Sequence, residues 1–290
     1  MPDRRLRGGR SRRLAPAPCW LALATALTAN LATADSKLLA TGGGQQIEGQ
    51  AGGGIVPWAL IAGYADAGAW GGSAALTRLR VDDLELTVAG LALGVGNRFE
   101  LSVARQRLHV RPLDLDIDQD VFAAKLRLTG DAVYGPLPAI TAGAVHKRNR
   151  DFTVPAALGA RRDSGTDYTL SAAKLWLNGF AGRNVLANIT LRSTDANQTG
   201  FLGFGGPGGG RAWAGEASLG LFLNRHWVAG VEYRDKPDHL PGVRETAWWD
   251  AFVGWFPSKR LSLIAAWADL GDVAGLPDQD GLYLSLQVSQ

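Results

Sequence analysis

Hydrophobic and polar positions alternate along most of this chain. The pattern is clearest over residues 211–235, RAWAGEASLGLFLNRHWVAGVEYRD. Trp213, Gly215, Ala217, Leu219, Leu221 and Leu223 fall on odd positions, with Glu216, Ser218 and Gly220 between them. After Asn224-Arg225-His226 the odd set resumes as Trp227, Ala229, Val231 and Tyr233, interleaved with Glu232 and Arg234. A period of two belongs to a strand whose faces meet different surroundings. Each run has about ten residues, the length a tilted strand needs to cross a bilayer. The apolar stripe begins and ends in aromatic residues, as a lipid-facing band does at its two interfaces. A two-residue turn would set Leu223 opposite His226 and swing one stripe inward. The stripes share a face only if the turn is odd in length, so the hairpin predicts a three-residue turn, or a bulge, at 224–226.

The same alternation recurs up and down the chain. Ala75, Thr77, Leu79 and Val81 alternate with Arg78 and Arg80. Leu84, Leu86 and Val88 give way to Leu91, Leu93 and Val95, a change of phase that predicts a β-bulge near Ala89-Gly90. Phe99, Leu101 and Val103 oppose Glu100 and Ser102; Phe122, Ala124, Leu126 and Leu128 oppose Lys125, Arg127 and Asp131. Later stripes carry Trp249, Val253 and Trp255, then Leu261, Leu263 and Trp267, then Leu282, Leu284, Leu286 and Val288. Two early segments are less regular. Residues 35–54 are Gly-rich with a weak strand at about 38–48, and 55–64 are apolar on both faces with Pro57 near the start, which confines that strand to a short or edge position. Connections alternate long and short from the C-terminus back to Gly96-Asn97, as external loops and periplasmic turns do.

The expectation is an all-β fold, a transmembrane antiparallel β-barrel of about 12–14 strands. Twelve is the count if the first segments fold inward as a plug. A soluble β-sandwich is the competing fold and would bury Trp249, Trp255 and Trp267. The predicted organisation is a cleaved secretory signal at 1–34, a Gly-rich segment at 35–54 serving as first strand or plug, and an outer-membrane barrel at 55–290.

Composition refines this. Mean hydropathy is near zero, as expected when half of each strand faces water or a lumen. Six arginines precede an apolar run at 20–31, followed by Ala32-Thr33-Ala34, the layout of a signal peptide too short to span a membrane. Its removal takes away six of the 30 basic residues and one of the 27 acidic ones, turning a formal +3 into −2. Nucleic acid is therefore not an expected partner. The single cysteine, Cys19, lies in the signal, so the mature chain has no disulfide to form.

Candidate chemistry is sparse. His109, His146, His226 and His239 are scattered without metal-ligand spacing. No nucleophile-elbow pattern points to an enzyme. Asp114, Asp116, Asp118 and Asp120 alternate in a segment that lacks the glycine and the terminal glutamate of a calcium loop, and read as a solvated external loop. Gly203–Gly210 lacks the lysine and hydroxyl of a phosphate loop and reads as a mobile loop tip. No metal, cofactor or catalytic residue is expected. The informative set is the one predicted to line the lumen: Arg78, Arg80, Glu85, Glu100, Lys125, Arg127, Asp131, Arg192, Glu216, Glu232, Arg234 and Asp250. Its mixed sign fits a small or gated channel for a small solute, or cross-lumen pairing in a non-conducting structural or surface-interaction barrel. Trp213, Trp227, Tyr233, Trp249, Trp255 and Trp267 are the predicted lipid-interface aromatics.

Several stretches resemble a proteobacterial family of outer-membrane proteins, domain of unknown function 3034. They are QIEGQAGGGIVPWALIAGY (46–64), RFELSVARQRL (98–108), GRNVLANITLR (182–192), NQTGFLGFGG (197–206), AWWDAFVGWFP (247–257) and DGLYLSLQVSQ (280–290). The resemblance implies an exported barrel without assigned activity, so no functional residues transfer. It departs from outer-membrane strands generally in ending on Ser289-Gln290 where an aromatic residue is usual. The implied setting is the outer membrane of a Gram-negative bacterium. The partners are outer-membrane lipid and lipopolysaccharide, the barrel assembly machinery and a small solute.

Overall fold

The computed structural model describes residues 37–241 and 243–290. The predicted signal peptide and Cys19 lie outside them. Two short strands, β1 (Gly44–Gln45) and β2 (Ala51–Gly52), form a small ladder of their own. The twelve that follow are β3 (Trp70–Val81), β4 (Leu84–Val95), β5 (Phe99–Val110), β6 (Leu115–Thr129), β7 (Ala139–Asn149), β8 (Ser164–Phe180), β9 (Arg183–Thr194), β10 (Ala212–Phe222), β11 (Trp227–Arg234), β12 (Trp248–Ser258), β13 (Leu261–Asp269) and β14 (Asp280–Ser289). Each pairs antiparallel with its neighbours in sequence, and β14 closes onto β3. The result is a closed twelve-strand barrel, a form that leaves no free edge in lipid.

The two ends differ in the length of their connections. One carries short links such as 96–98, 181–182 and 223–226; the other carries 150–163, 195–211, 235–247 and 270–279. In outer-membrane barrels short turns face the periplasm and long loops the outside, and the two ends are called periplasmic and external in that sense. Asp82-Asp83, unexpectedly short, is simply a tight link at the external end. The 210–235 hairpin turns through three residues. Phe222 pairs with Val228, and the Leu223 amide donates to the Trp227 carbonyl at 2.8 Å. The Asn224 side chain closes the turn by accepting from the His226 amide (2.8 Å) and the Trp227 amide (3.1 Å).

Apolar side chains cover the outer wall. Leu219, Val231, Val253, Leu284 and Leu101 are each about half exposed. Trp227 stacks on Trp255 at 5.8 Å near the periplasmic rim. Trp213, Tyr233, Trp249 and Trp267 stand outward toward the external rim, where Trp249 Nε1 donates to Asp269 at 2.9 Å. Exposure of Trp249, Trp255 and Trp267 excludes the β-sandwich alternative.

Three expectations change. The segment 55–64 is not a wall strand: the barrel starts at Trp70, and 37–64 folds into the lumen. Its apolar character on both faces follows from burial on all sides. Ile47, Ile55, Val56, Trp58, Leu60 and Ile61 are each at most 5% exposed. Second, β4 carries no bulge, and its pairing to β3 and β5 is unbroken. Leu84, Leu86 and Val88 point inward and Leu91, Leu93 and Val95 outward. The change of phase is a change in what the lumen contains. At the external mouth Leu79, Val81, Leu84, Leu86, Leu108 and Val110 belong to a buried apolar core with Phe201, Trp248, Leu270 and Val273. Third, the aspartate segment expected as a solvated external loop is mostly wall: only a single 3-10 turn, Arg111–Leu113, and Asp114 link β5 to β6, and Asp116, Asp118 and Asp120 lie on β6. They face basic groups on its neighbours: His109 at 2.8 Å from Asp116, Arg107 at 2.9 Å from Asp118, and Arg105 and Arg150 each at 2.6 Å from Asp120.

Candidate functional site: a lumen filled by a plug and a lid

The chain from 37 to 64 enters the barrel and leaves by the same periplasmic end. At that end Lys37 Nζ donates to the carbonyls of Ile61 and Gly63 at 3.1 and 3.0 Å. The amides of Tyr64 and Gly72 both donate to the Gln290 carbonyl. The backbone at the chain end thus fastens the plug's exit. A segment with so little regular structure carries many unpaired backbone groups, and burial obliges them to find partners. The barrel wall supplies them. Asn188 accepts from the Ala59 amide at 2.9 Å and donates to the Pro57 carbonyl. Gln106 donates to the Ile47 carbonyl at 2.7 Å. Lys125 Nζ donates to the carbonyls of Ala51, Trp58 and Leu60, each at 3.0 Å. Glu100 accepts from the amides of Ala51 (3.1 Å) and Ala62 (2.8 Å) and lies 3.4 Å from Lys125.

Glu232 is clasped most completely. Oε2 accepts from the amides of Gly54 (2.6 Å), Ile55 (2.8 Å) and Val56 (3.4 Å); Oε1 accepts from Trp58 Nε1 (3.0 Å) and Ser218 Oγ (2.6 Å). Successive amides turned toward one anion form a backbone nest. Gly53 makes the approach possible, since a Cβ there would fall 2.0 Å from Glu232 Oε1.

Above this belt the plug presents one carboxylate, Glu48, to the wall. It lies 2.6 Å from Lys147, 2.6 Å from Arg234 and 3.1 Å from Arg192. Asp167 pairs with Lys147 (2.7 Å) and Arg192 (3.1 Å), and Glu216 pairs with Arg192 and Arg234. Three carboxylates and three cations thus form one network whose members are at most 3% exposed.

The external mouth is covered by the link between β9 and β10. Residues 195–206 are buried throughout. Phe201 packs into the apolar core of the mouth. The Gln198 amide donates to Glu245 at 2.8 Å, and its side chain accepts from Lys236 at 2.9 Å. Asn149 donates to the Phe201 carbonyl at 2.6 Å. The glycine run, expected at a mobile tip, is a packing device for much of its length. Phe204 is fully buried, and a Cβ on Gly206 would lie 2.4 Å from the His239 carbonyl. Burial pushes the Glu245 carboxyl up to about 7, with Lys236 opposing it. Burial also pulls the Lys236 amine down to about 8.

The residues predicted to line the lumen divide into groups. Glu100, Lys125, Arg192, Glu216, Glu232, Arg234 and Asp250 are inside and at most 3% exposed. Arg127 faces inward near the periplasmic end, bonded to Asn97 at 2.8 Å. Asp131 is in the following turn, where its carboxylate accepts from the amides of Val133 and Tyr134 and lies 3.5 Å from Arg127. Arg78, Arg80 and Glu85 are corrected: they face outward, and Arg78 pairs with Glu85. The apolar mouth takes the other face of β3 and β4 and leaves these charges outside. Glu48, Lys147, Asp167 and Asn188 were missed. Lys147 and Asp167 sit on strands of weak alternation, and Glu48 belongs to a segment with no period to read. The histidines stay apart. His109 faces Asp116, His146 faces Thr166, His226 faces the Phe256 carbonyl, and His239 is buried by the lid.

A family model described as "Protein of unknown function (DUF3034)" matches residues 41–287, plug, barrel and lid together. The chain belongs to the DUF3034 family. Two of the stretches that carried the resemblance, 46–64 and 197–206, are the plug and the lid of this DUF3034 barrel. No curated protein matches the chain. Among solved structures it is similar to the KdgM porin, with a TM-score of 0.50, 9% identity, and coverage of 74% of this chain and 98% of that one. It is also similar to the NanC porin (TM-score 0.46, 9% identity, 76% and 98% coverage). An outer membrane channel from Pseudomonas putida F1 matches with a TM-score of 0.45, 12% identity, and 79% and 97% coverage. At such identities the likeness is one of fold. This DUF3034 protein shares the closed antiparallel barrel fold of the KdgM porin.

Proposed function

We propose that this barrel is a gated channel for a small solute, held closed here by its plug and lid. One observation carries the reading: among the apolar side chains that face the plug, such as Phe252 and Ile264, the wall carries a belt of buried charged and amide groups, Glu100, Lys125, Lys147, Asn188, Arg192 and Glu232 among them. A permanently dry interior is as stable, or more so, when packed with apolar groups, because each buried ion must be stripped of water. Charged walls suit an interior that is wetted when the plug leaves, and mixed signs then line the passage. Entry and exit of the plug at one end let it withdraw without threading the barrel. The second reading, a non-conducting structural or surface-interaction barrel, is favoured by the three cations around Glu48 and the five hydrogen-bond donors around Glu232 within the lumen.

Planar-bilayer recording separates the two. The mature protein is expected to be closed or to open briefly, and a variant lacking 41–64 to conduct steadily. A plugless variant that is folded, by heat-modifiable migration and strand circular dichroism, yet passes no current sinks the channel reading. Solute class follows from the permeability of the plugless barrel to small anions, cations and neutral sugars.

A further inference from the structure

The outer wall is not the same all round its external end. On β10 to β13 the outward stripes run up to Trp213, Tyr233, Trp249 and Trp267. On β7 and β8 the outward stripe passes instead from Ala144 and Leu170 to His146, Arg148 and Thr166. The link 150–163 borders this polar patch, and between them lies an open cleft of about 600 Å³. Three arginines, Arg161, Arg162 and Arg211, line it against one carboxylate, Asp163. Arg211 is fixed in place: its guanidinium donates to the carbonyls of Ser193 and Thr166 at 2.7 and 2.8 Å and stands 5.2 Å from the centre of the Tyr168 ring. Arg162 pairs with Asp195 of the lid, and Asp163 lies 3.7 Å from Arg148. The exposed Arg161 makes no ion pair or side-chain hydrogen bond among the described residues. The cleft is therefore cationic, with one guanidinium held ready and another unengaged.

Its position says what it meets. Lys147 and Asp167, between the lining residues on the same strands, are buried in the lumen, so the wall separates the cleft from the passage. Two residues below Tyr168, Leu170 pairs with Leu191, and both are about half exposed on the outer face. A ligand in the cleft thus has cationic groups around it and an apolar wall beneath it. We propose that the cleft seats the phosphorylated sugar headgroup of lipopolysaccharide, with acyl chains descending over Leu170 and Leu191. A guanidinium fork matches a phosphate through two parallel charge-assisted bonds. Basic pockets beside membrane-spanning elements hold anionic headgroups in the same way. The cleft's volume is of the class that holds small-molecule ligands. A soluble anion would gain nothing from the apolar wall below. The inference rests on the outer face lying in an outer-membrane bilayer, external end outward, and is independent of whether the lumen conducts.

Native mass spectrometry tests it. Mature protein in non-ionic detergent is titrated with bisphosphorylated lipid A, and one molecule per barrel is expected to stay bound. Arg161→Glu should weaken binding about tenfold, and Arg161→Glu with Arg211→Gln about a hundredfold. Arg225→Glu, in the turn at the periplasmic end, should leave it unchanged. Dephosphorylated lipid A should bind about tenfold more weakly than the bisphosphorylated form. Equal retention by wild type and the double variant, or of lipid A with and without phosphate, would overturn the proposal. Glucosamine phosphate bound as tightly as lipid A would assign the cleft to a soluble sugar phosphate and overturn the lipid as occupant. Flotation with phosphatidylcholine vesicles lacking lipid A tests the membrane setting by itself. Protein that stays out of these vesicles sinks that setting and the proposal with it. Protein that inserts yet shows no preference for phosphorylated lipid A sinks the cleft alone. Heat-modifiable migration checks the fold of each variant, and should the double variant not fold, Arg161→Glu decides.

Discussion

Glu48→Gln should release the plug while leaving the barrel standing. Glu48 is the carboxylate by which the plug meets Lys147, Arg234 and Arg192, at 2.6, 2.6 and 3.1 Å. Neutralising it leaves three buried cations with two carboxylates, Asp167 and Glu216. Removing one partner from a buried ion pair costs about 3–5 kcal/mol, because the remaining charge stays buried and unmatched. At about 1.4 kcal/mol per factor of ten, the equilibrium between seated and withdrawn plug shifts roughly 150- to 5,000-fold. Gln keeps one acceptor oxygen for Arg234 or Lys147, which puts the effect at the low end. The barrel strands hold each other through a closed ladder that does not include Glu48, so the loss falls on the plug. Hydrogen exchange resolved by peptide is the assay. Amides of 46–62 should exchange faster by the same factor, and those of β10 to β14 at the wild-type rate. Unchanged plug protection would refute the network as the plug's anchor. Simultaneous loss of protection in plug and strands would show that plug and barrel unfold as one unit.

Other substitutions probe the remaining parts. Gly53→Ala places a Cβ where Glu232 Oε1 now sits, and should speed exchange of the amides at 54–56 without affecting 195–206. Val231, about half exposed at mid-strand on the outer wall, should cost about 2–4 kcal/mol as Arg in lipid vesicles. A change below about 0.5 kcal/mol in urea unfolding would contradict its assignment to lipid. The lid should respond to pH through Glu245, whose carboxyl is raised from the ordinary value near 4.5 to about 7. A raised carboxyl stabilises the closed lid below about 4.5, and that contribution is lost as pH rises through about 7. Exchange at 198–204, corrected for its intrinsic pH dependence, should therefore accelerate between pH 5 and 7, and Glu245→Gln should remove the trend.

Much of the barrel was legible because its physics is local. A strand between lipid and interior must alternate, and the stripes of Trp213 to Leu223 and Trp227 to Tyr233 announce both the outer face and, through their alignment, a three-residue turn. The alternation of short and long connections told the two ends apart. What the barrel contains was not legible in the same way. Plug residues 46–64 are buried on every side, so they have no period, and an apolar run with Pro57 resembles a poor strand as much as a plug. Glu48 in such a run gives no sign that three cations await it from β7, β9 and β11.

Alternation reports that two faces differ, and leaves open which is which where both are partly apolar. That ambiguity misplaced Arg78, Arg80 and Glu85. Their strand partners Leu79, Leu84 and Leu86 belong to the dry external mouth closed by Phe201, a fact of assembly rather than of β3 or β4. Pairing is likewise a tertiary property. Asp250 and Glu232 are 18 residues apart and look like ordinary lumen charges one by one. Only the register between β11 and β12 sets them opposite each other, and only the seated plug covers Glu232 with amides while leaving Asp250 bare. The sequence by itself determined an antiparallel β-barrel, the outward stripes of most of its strands and the turn of the 211–235 hairpin, because each depends on neighbours within one hairpin. The tertiary structure decided that the lumen is filled, which charges meet inside it and which lacks a partner, because those depend on the plug meeting wall strands as far as 186 residues along the chain.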